Sequence, residues 1–284
     1  MTTVRRIKTA SACVPTIEGA GVHLNRAFGH NQVPQYDPFL MLDDFHTSNP
    51  EDYLAGFPWH PHRGIETITY ILEGLVEHSD SMGNKGAIGA GDVQWMTAGS
   101  GIIHQEMPQV SPTGTMWGFQ FWANLPATHK MMPPRYRDIK AASIPEVAMG
   151  NGVTAKVISG EIDGVKGPVR EIVTDPILLD INVPANTSFT FPVKEGYTLL
   201  TYILSGSALF DDQQQDLIAS GQVVLYGRDG NQVNVTTGDQ QVRFLLLSGM
   251  PLNEPVAWRG PIVMNSQDEL RTAFDEYQRG TFVK

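Results

Sequence analysis

Four residues in the first half of the chain have the types and spacing to hold a metal ion. They are His60 and His62, in Pro58-Trp59-His60-Pro61-His62-Arg63-Gly64, and His104 and Glu106, in Gly101-Ile102-Ile103-His104-Gln105-Glu106. In extended chain, residues two apart project to the same face, so each pair can aim both side chains at one ion. Three imidazoles and a carboxylate would leave coordination positions open for a substrate or O2, as catalytic metal sites do. A lone His-x-His or His-x-Glu is more often a satisfied structural pair. Two such pairs, with the glycine-rich run Thr97-Ala98-Gly99-Ser100-Gly101 ahead of His104, point to one site. Glu66, four residues after His62, stays open as ligand, partner of a ligand or catalytic base. Phe45, Phe57 and Trp59 are candidates for a substrate pocket, although aromatics in an all-β protein belong more often to the core.

The remaining histidines narrow the search. All eight lie in the first 129 residues, and His23, His30, His46, His78 and His129 have no comparable partners, so they are read as loop or surface residues. The second half of the chain has none, yet it echoes the first. Thr69-Tyr70-Ile71-Leu72 recurs as Thr201-Tyr202-Ile203-Leu204, an offset of 132, and Gly74 and Gly206 close the two copies. GAGDVQWM has a counterpart in IASGQVVLY, with Gly91 and Gly221 offset by 130. Two aligned strand–glycine–strand segments predict a duplicated domain, of which one copy kept an imidazole-dependent site.

Glycine (28) and proline (19) recur between short apolar runs, the pattern of many short strands joined by tight turns. The expected division is an N-terminal metal-binding domain over residues 1–135 and a C-terminal domain without metal ligands over 136–284. The stretch between the copies carries Pro126, Pro133, Pro134 and Pro145 and cannot continue a central strand. Near the end, Ser266-Gln267-Asp268-Glu269 is a capping box. Leu270, Ala273, Phe274 and Tyr277 follow on one stripe, and Gly280 can close the element, so residues 266–279 predict an amphipathic helix.

A net charge of −10, with 20 dispersed Lys and Arg, argues against nucleic acid as a direct partner. The single cysteine, Cys13, cannot form an intramolecular disulfide. The N-terminus lacks the apolar stretch of a secretory signal, and no window of about 18 residues runs apolar without charge. The chain is therefore read as a soluble cytoplasmic protein with no membrane partner.

Two segments resemble the two cupin motifs: Gly56 to Gly74, with His60, His62 and Glu66, and Gly91 to His104. In the second, Thr97 replaces the usual proline and two extra residues precede the histidine. The strings DPFLMLDDF, GFPWHPHRGIETITYILEG, MTAGSGIIHQEMP, WANLPATHKMMPPRY and GPIVMNSQDELRTAFDEYQRGTF together resemble the pirin family over nearly the whole chain. That resemblance implies an all-β bicupin, two β-barrel (jelly-roll) domains on one polypeptide, acting as a monomer. It implies one iron, Fe(II), on His60, His62, His104 and Glu106, with Glu66 not a usual ligand and no comparable site in the second barrel. The donor set itself would equally take Mn, Ni, Cu or Zn. Trp59 departs from the small or acidic residue expected beside the ligand. The implied activity is that of a quercetin 2,3-dioxygenase, opening a flavonol ring with O2 and releasing carbon monoxide, with Glu106 or Glu66 as base. The alternative is a non-enzymatic iron-binding regulator whose partner is a transcription factor or metabolic enzyme.

Overall fold

Short runs of alternating burial, broken by glycine turns, make strands the dominant element of the computed structural model, which describes residues 2–170, 172–213 and 216–284. Among the described residues there is one α-helix, Gln267–Gln278, and no helix long and apolar enough to cross a membrane. The chain forms two units, residues 14–141 with 252–284, and residues 1–13 with 142–251. Set beside a single cut at residue 135, both chain ends are exchanged.

The exchange has physical causes. The strand Ile7–Ala12 pairs antiparallel with Gln222–Tyr226 and so completes an edge of the second unit's sheet. Behind it, the Arg5 guanidinium is fully buried and donates to the carbonyl oxygens of Tyr197 (2.6 Å) and Gly230 (3.1 Å). At the other end, the helix buries Leu270 and Ala273 in a cluster with Ala257, Ile262, Met264 and Phe282. Its capping box is formed: Ser266 Oγ accepts from Glu269 N at 3.3 Å, and Glu269 Oε2 accepts from Ser266 N at 2.9 Å. The proline-bearing connection carries one more edge strand, Arg135–Ile139, paired with Val93–Thr97.

The internal echo is structural. In the histidine-bearing unit the strand Ile65–Glu73 lies between Val93–Thr97 and Met116–Asn124, all antiparallel, within a seven-stranded sheet. In the other unit Thr198–Leu209 lies between Gln222–Tyr226 and Gln232–Gly249 in the same way, within a nine-stranded sheet. The histidine-bearing unit adds a four-stranded sheet in the order Phe57–His62, Ile102–Gln109, Leu75–Asp80, Lys85–Ile88. This smaller sheet positions the candidate site.

Candidate metal centre

The strand Ile102–Gln109 alternates strictly, with Ile102, His104, Glu106 and Pro108 buried and the residues between them half-buried. That period of two sends the His104 and Glu106 side chains inward together. Its neighbour Phe57–His62 runs antiparallel, with His104 opposite His60 and Ile102 opposite His62. The turn after His62 needs glycine: Gly64 has φ +77°, and a Cβ there would stand 2.0 Å from the Val263 carbonyl oxygen. Gly99, in the run before His104, has φ +49° and would meet the Met132 carbonyl oxygen at 2.1 Å.

His60, His62 and His104 come together, each with a ring nitrogen within 4.8 Å of the others. His62 and His104 are buried and His60 is half-buried, so the cluster opens on one side. Hydrogen bonds assign the ring nitrogens. His60 Nδ1 lies 2.9 Å from the Pro58 carbonyl oxygen, and His62 Nδ1 lies 3.1 Å from that of Pro261. A carbonyl only accepts, so both Nδ1 atoms carry protons. Their Nε2 atoms then face each other at 3.0 Å. Two bare lone pairs at that distance repel unless a cation lies between them. A proton on one would satisfy the pair, but it would leave His104 Nε2, which is buried without a hydrogen-bond partner. One ion met by all three nitrogens satisfies all three. Two nitrogens each about 2.1 Å from an ion and at right angles to each other stand about 3.0 Å apart, so the donor set fits a divalent metal. Burial, and then repulsion from neighbouring imidazoles, pushes His62 and His104 well below the ordinary imidazole range, while the bond to Pro261 draws His62 weakly back. Neutral imidazole is the form that ligates.

Glu106 shares this interior but is not within the close histidine group. Its Oε1 accepts from Thr69 Oγ1 at 3.0 Å and its Oε2 from Gln120 Nε2 at 2.9 Å. Gln120 is held in turn by Trp122 Nε1, which donates to Gln120 Oε1 at 3.0 Å. As a fourth ligand, Glu106 would offer the ion a remaining lone pair and keep both bonds.

The other candidates divide. Phe45 and Phe57 line a narrow cavity with Glu106, Gln120 and Met116, with room for about one water. Trp59 does not line it: it lies where the strand pairing shifts between Phe57 and His60 and is 52% exposed. Glu66 is buried but stands three residues from Thr69 on one strand, and therefore on the opposite face of the sheet. There its Oε1 accepts from Thr97 Oγ1 at 2.7 Å, and burial raises its pKa against the pull of Thr97, Trp95 and Arg137.

His78, read from sequence as a loop or surface residue, is instead buried on the strand Leu75–Asp80, where Glu106 is its register partner. Its Nδ1 lies 3.4 Å from His104 Nδ1. The signal available for it is the i,i+2 pair His78 and Asp80, the same spacing that marks the other histidines. Gln120, alone in the aromatic run Met116–Asn124, carried a weaker one.

The family model described as Pirin matches residues 21–123, and the one described as the Pirin C-terminal cupin domain matches residues 178–283. A pirin-like protein of Caulobacter vibrioides is 45% identical over 269 residues, which cover 94% of this chain and 95% of that protein. Pirin-1 of Arabidopsis thaliana is 41% identical over 264 residues, 92% of this chain and 88% of that protein. The crystal structure of a quercetin 2,3-dioxygenase from Acinetobacter baumannii superposes with a TM-score of 0.90 at 32% identity, covering 99% of this chain and 100% of that one.

Proposed function

This chain belongs to the pirin family of two-domain cupins, and from that premise we propose that it is a metal-dependent dioxygenase opening the central ring of quercetin-like flavonols. The observation that carries the reading is the set of three converging imidazole nitrogens, two facing at 3.0 Å and one buried without a partner. His60, His62 and His104 would hold one divalent metal, Fe(II) in first place, with Glu106 as the fourth ligand. Bound there, the metal would supply the Lewis acidity that acidifies a flavonol hydroxyl and a position for O2.

The chain's own residues do the rest. The flavonol approaches past half-buried His60, because the cavity behind Glu106 is too narrow to admit it. Glu106 accepts the flavonol hydroxyl proton, and Thr69 and Gln120 hold its carboxylate in position to do so. Phe45 and Phe57 narrow the inner side of the site to the room of about one water. Glu66, on the far face of the sheet, has no part in proton transfer.

The test is protein loaded with Fe(II) and mixed with quercetin in air, followed by loss of flavonol absorbance and release of carbon monoxide. Turnover that disappears in His62→Ala, together with the bound iron, is the expected result. Stoichiometric iron without turnover would sink the flavonol reading and favour a regulatory protein that binds a partner.

A further inference from the structure

Each imidazole of the cluster needs its Nδ1–H engaged if its Nε2 is to be bare, and the three are served by different elements. His60 uses the Pro58 carbonyl on its own strand, and His62 uses the Pro261 carbonyl. For His104 the partner is not a carbonyl but a second histidine. His78 Nδ1 stands 3.4 Å from His104 Nδ1, and both rings are buried, His78 at 1% exposure and His104 at 0%. The far nitrogen of His78, Nε2, stands 3.4 Å from Asp80 Oδ2.

Asp80 is firmly fixed as an acceptor. Its Oδ1 accepts from the backbone amides of Met82 (2.9 Å) and Asn84 (3.0 Å), and its Oδ2 accepts from Asn84 Nδ2 at 2.8 Å. An ionised carboxylate only accepts, so His78 Nε2 is the donor of their contact. In the neutral ring His78 Nδ1 is then bare, and it accepts from His104 Nδ1–H. His104 Nε2 is left with its lone pair directed at His60 and His62. Tyr136 stacks on the His78 ring at 4.5 Å and 24°, which fixes the ring plane, and its hydroxyl donates to Asp138 at 2.7 Å.

We infer that His78, oriented by Asp80, is a positioning residue that sets the tautomer and ring angle of His104 for metal binding. The inference rests on the reading that the three imidazoles hold a metal. It makes the strand Leu75–Asp80 a working part of the site and not only a neighbour in the sheet. Outer partners of this kind typically change metal affinity about 10- to 100-fold when removed.

The test uses full-length protein and Co(II) as the probe, with affinity from chelator competition and geometry from the visible d–d bands. His78→Leu removes the acceptor; His78→Gln restores it, since Oε1 can accept from His104 while Nε2 donates to Asp80. The expected result is about 10- to 100-fold weaker Co(II) binding with altered bands in His78→Leu, and near-native affinity and bands in His78→Gln. Native behaviour in His78→Leu overturns the inference, as does an equal loss in both variants. Wild-type protein that bound no Co(II) would remove the metal reading and this inference with it. Should His78→Leu not fold, 15N imidazole spectra of the metal-free wild type decide instead. His104 protonated on Nδ1 and His78 on Nε2 is expected, and the opposite tautomer on either ring overturns the assignment.

Discussion

Matched positions of the two units carry opposite chemistry around one shared threonine. In the histidine-bearing unit Thr69 lies between Gln94 and Gln120 across the sheet. In the other unit Thr201 lies between Val224 and Leu246. Two residues earlier on the same face, Thr67 corresponds to Leu199. The consequence appears in the packing. Leu199, Ile203, Val224 and Leu246 all belong to one apolar cluster with Phe244. In the histidine-bearing unit Ile65 and Ile71 share a strand and a face, yet they belong to separate clusters, with Thr67 and Thr69 between them. One fold therefore tolerates either a continuous apolar interior or a polar row that divides it. The polar row is held by the bonds that Thr69 and Gln120 both donate to Glu106 and by the bond from Trp122 to Gln120.

The sharpest break of this comparison is to remove one of the converging imidazoles. His104→Ala should take stoichiometric Fe(II) binding from one ion to none, as read by metal analysis, while the histidine-free unit keeps its packing. Retained stoichiometric iron would show that the polar row holds no metal through His104.

Exchanging interiors at one position comes next in size. Leu246→Gln places an amide among Leu199, Ile203 and Phe244 with only the Thr201 hydroxyl across from it, and should cost about 3 kcal/mol in denaturant unfolding. The reverse change is not a repair. Gln120→Leu strands Glu106 Oε2 and Trp122 Nε1, and should cost about 1–2 kcal/mol and lower turnover. A Gln120→Leu protein more stable than wild type would mean that the polar row is held together by something other than these bonds.

These contrasts also mark what could be read before the structure. His60, His62 and His104 were legible because a period of two converts spacing directly into facing. The terminal helix was legible because its capping box and apolar stripe lie side by side in the sequence, and the duplication because Thr69-Tyr70-Ile71-Leu72 was copied intact. Contacts that join distant segments were not. His78 meets His104 only through strand pairing, and the His62 Nδ1 partner is the carbonyl of Pro261, which no side-chain pattern reveals. The same period of two, applied from Thr69, separates Glu66 from the histidines, but that needed the inward face of Thr69 to be known. The transfer of the N-terminal end turns on Arg5 and on the Ile7–Ala12 edge pairing, where nothing in the local residues names the partner strand.

The smallest expected effect isolates the shared threonine. Thr69→Val removes the donor to Glu106 Oε1 and leaves a buried carboxylate oxygen unpaired, which should cost about 1–2 kcal/mol and weaken metal binding. Thr201 is buried beside the neutral Tyr226 hydroxyl and has no carboxylate to serve as Thr69 has. Thr201→Val removes a hydroxyl whose one polar neighbour, the Tyr226 hydroxyl, is neutral, and should change unfolding free energy by less than about 1 kcal/mol, with metal content untouched. The two variants have the same chemistry at the same place in the echoed strand, so the difference between them measures what the partner, and not the threonine, contributes. Equal losses in both would mean that Thr69 acts through packing alone, and the contrast between a satisfied polar row and an apolar interior would fail at its centre.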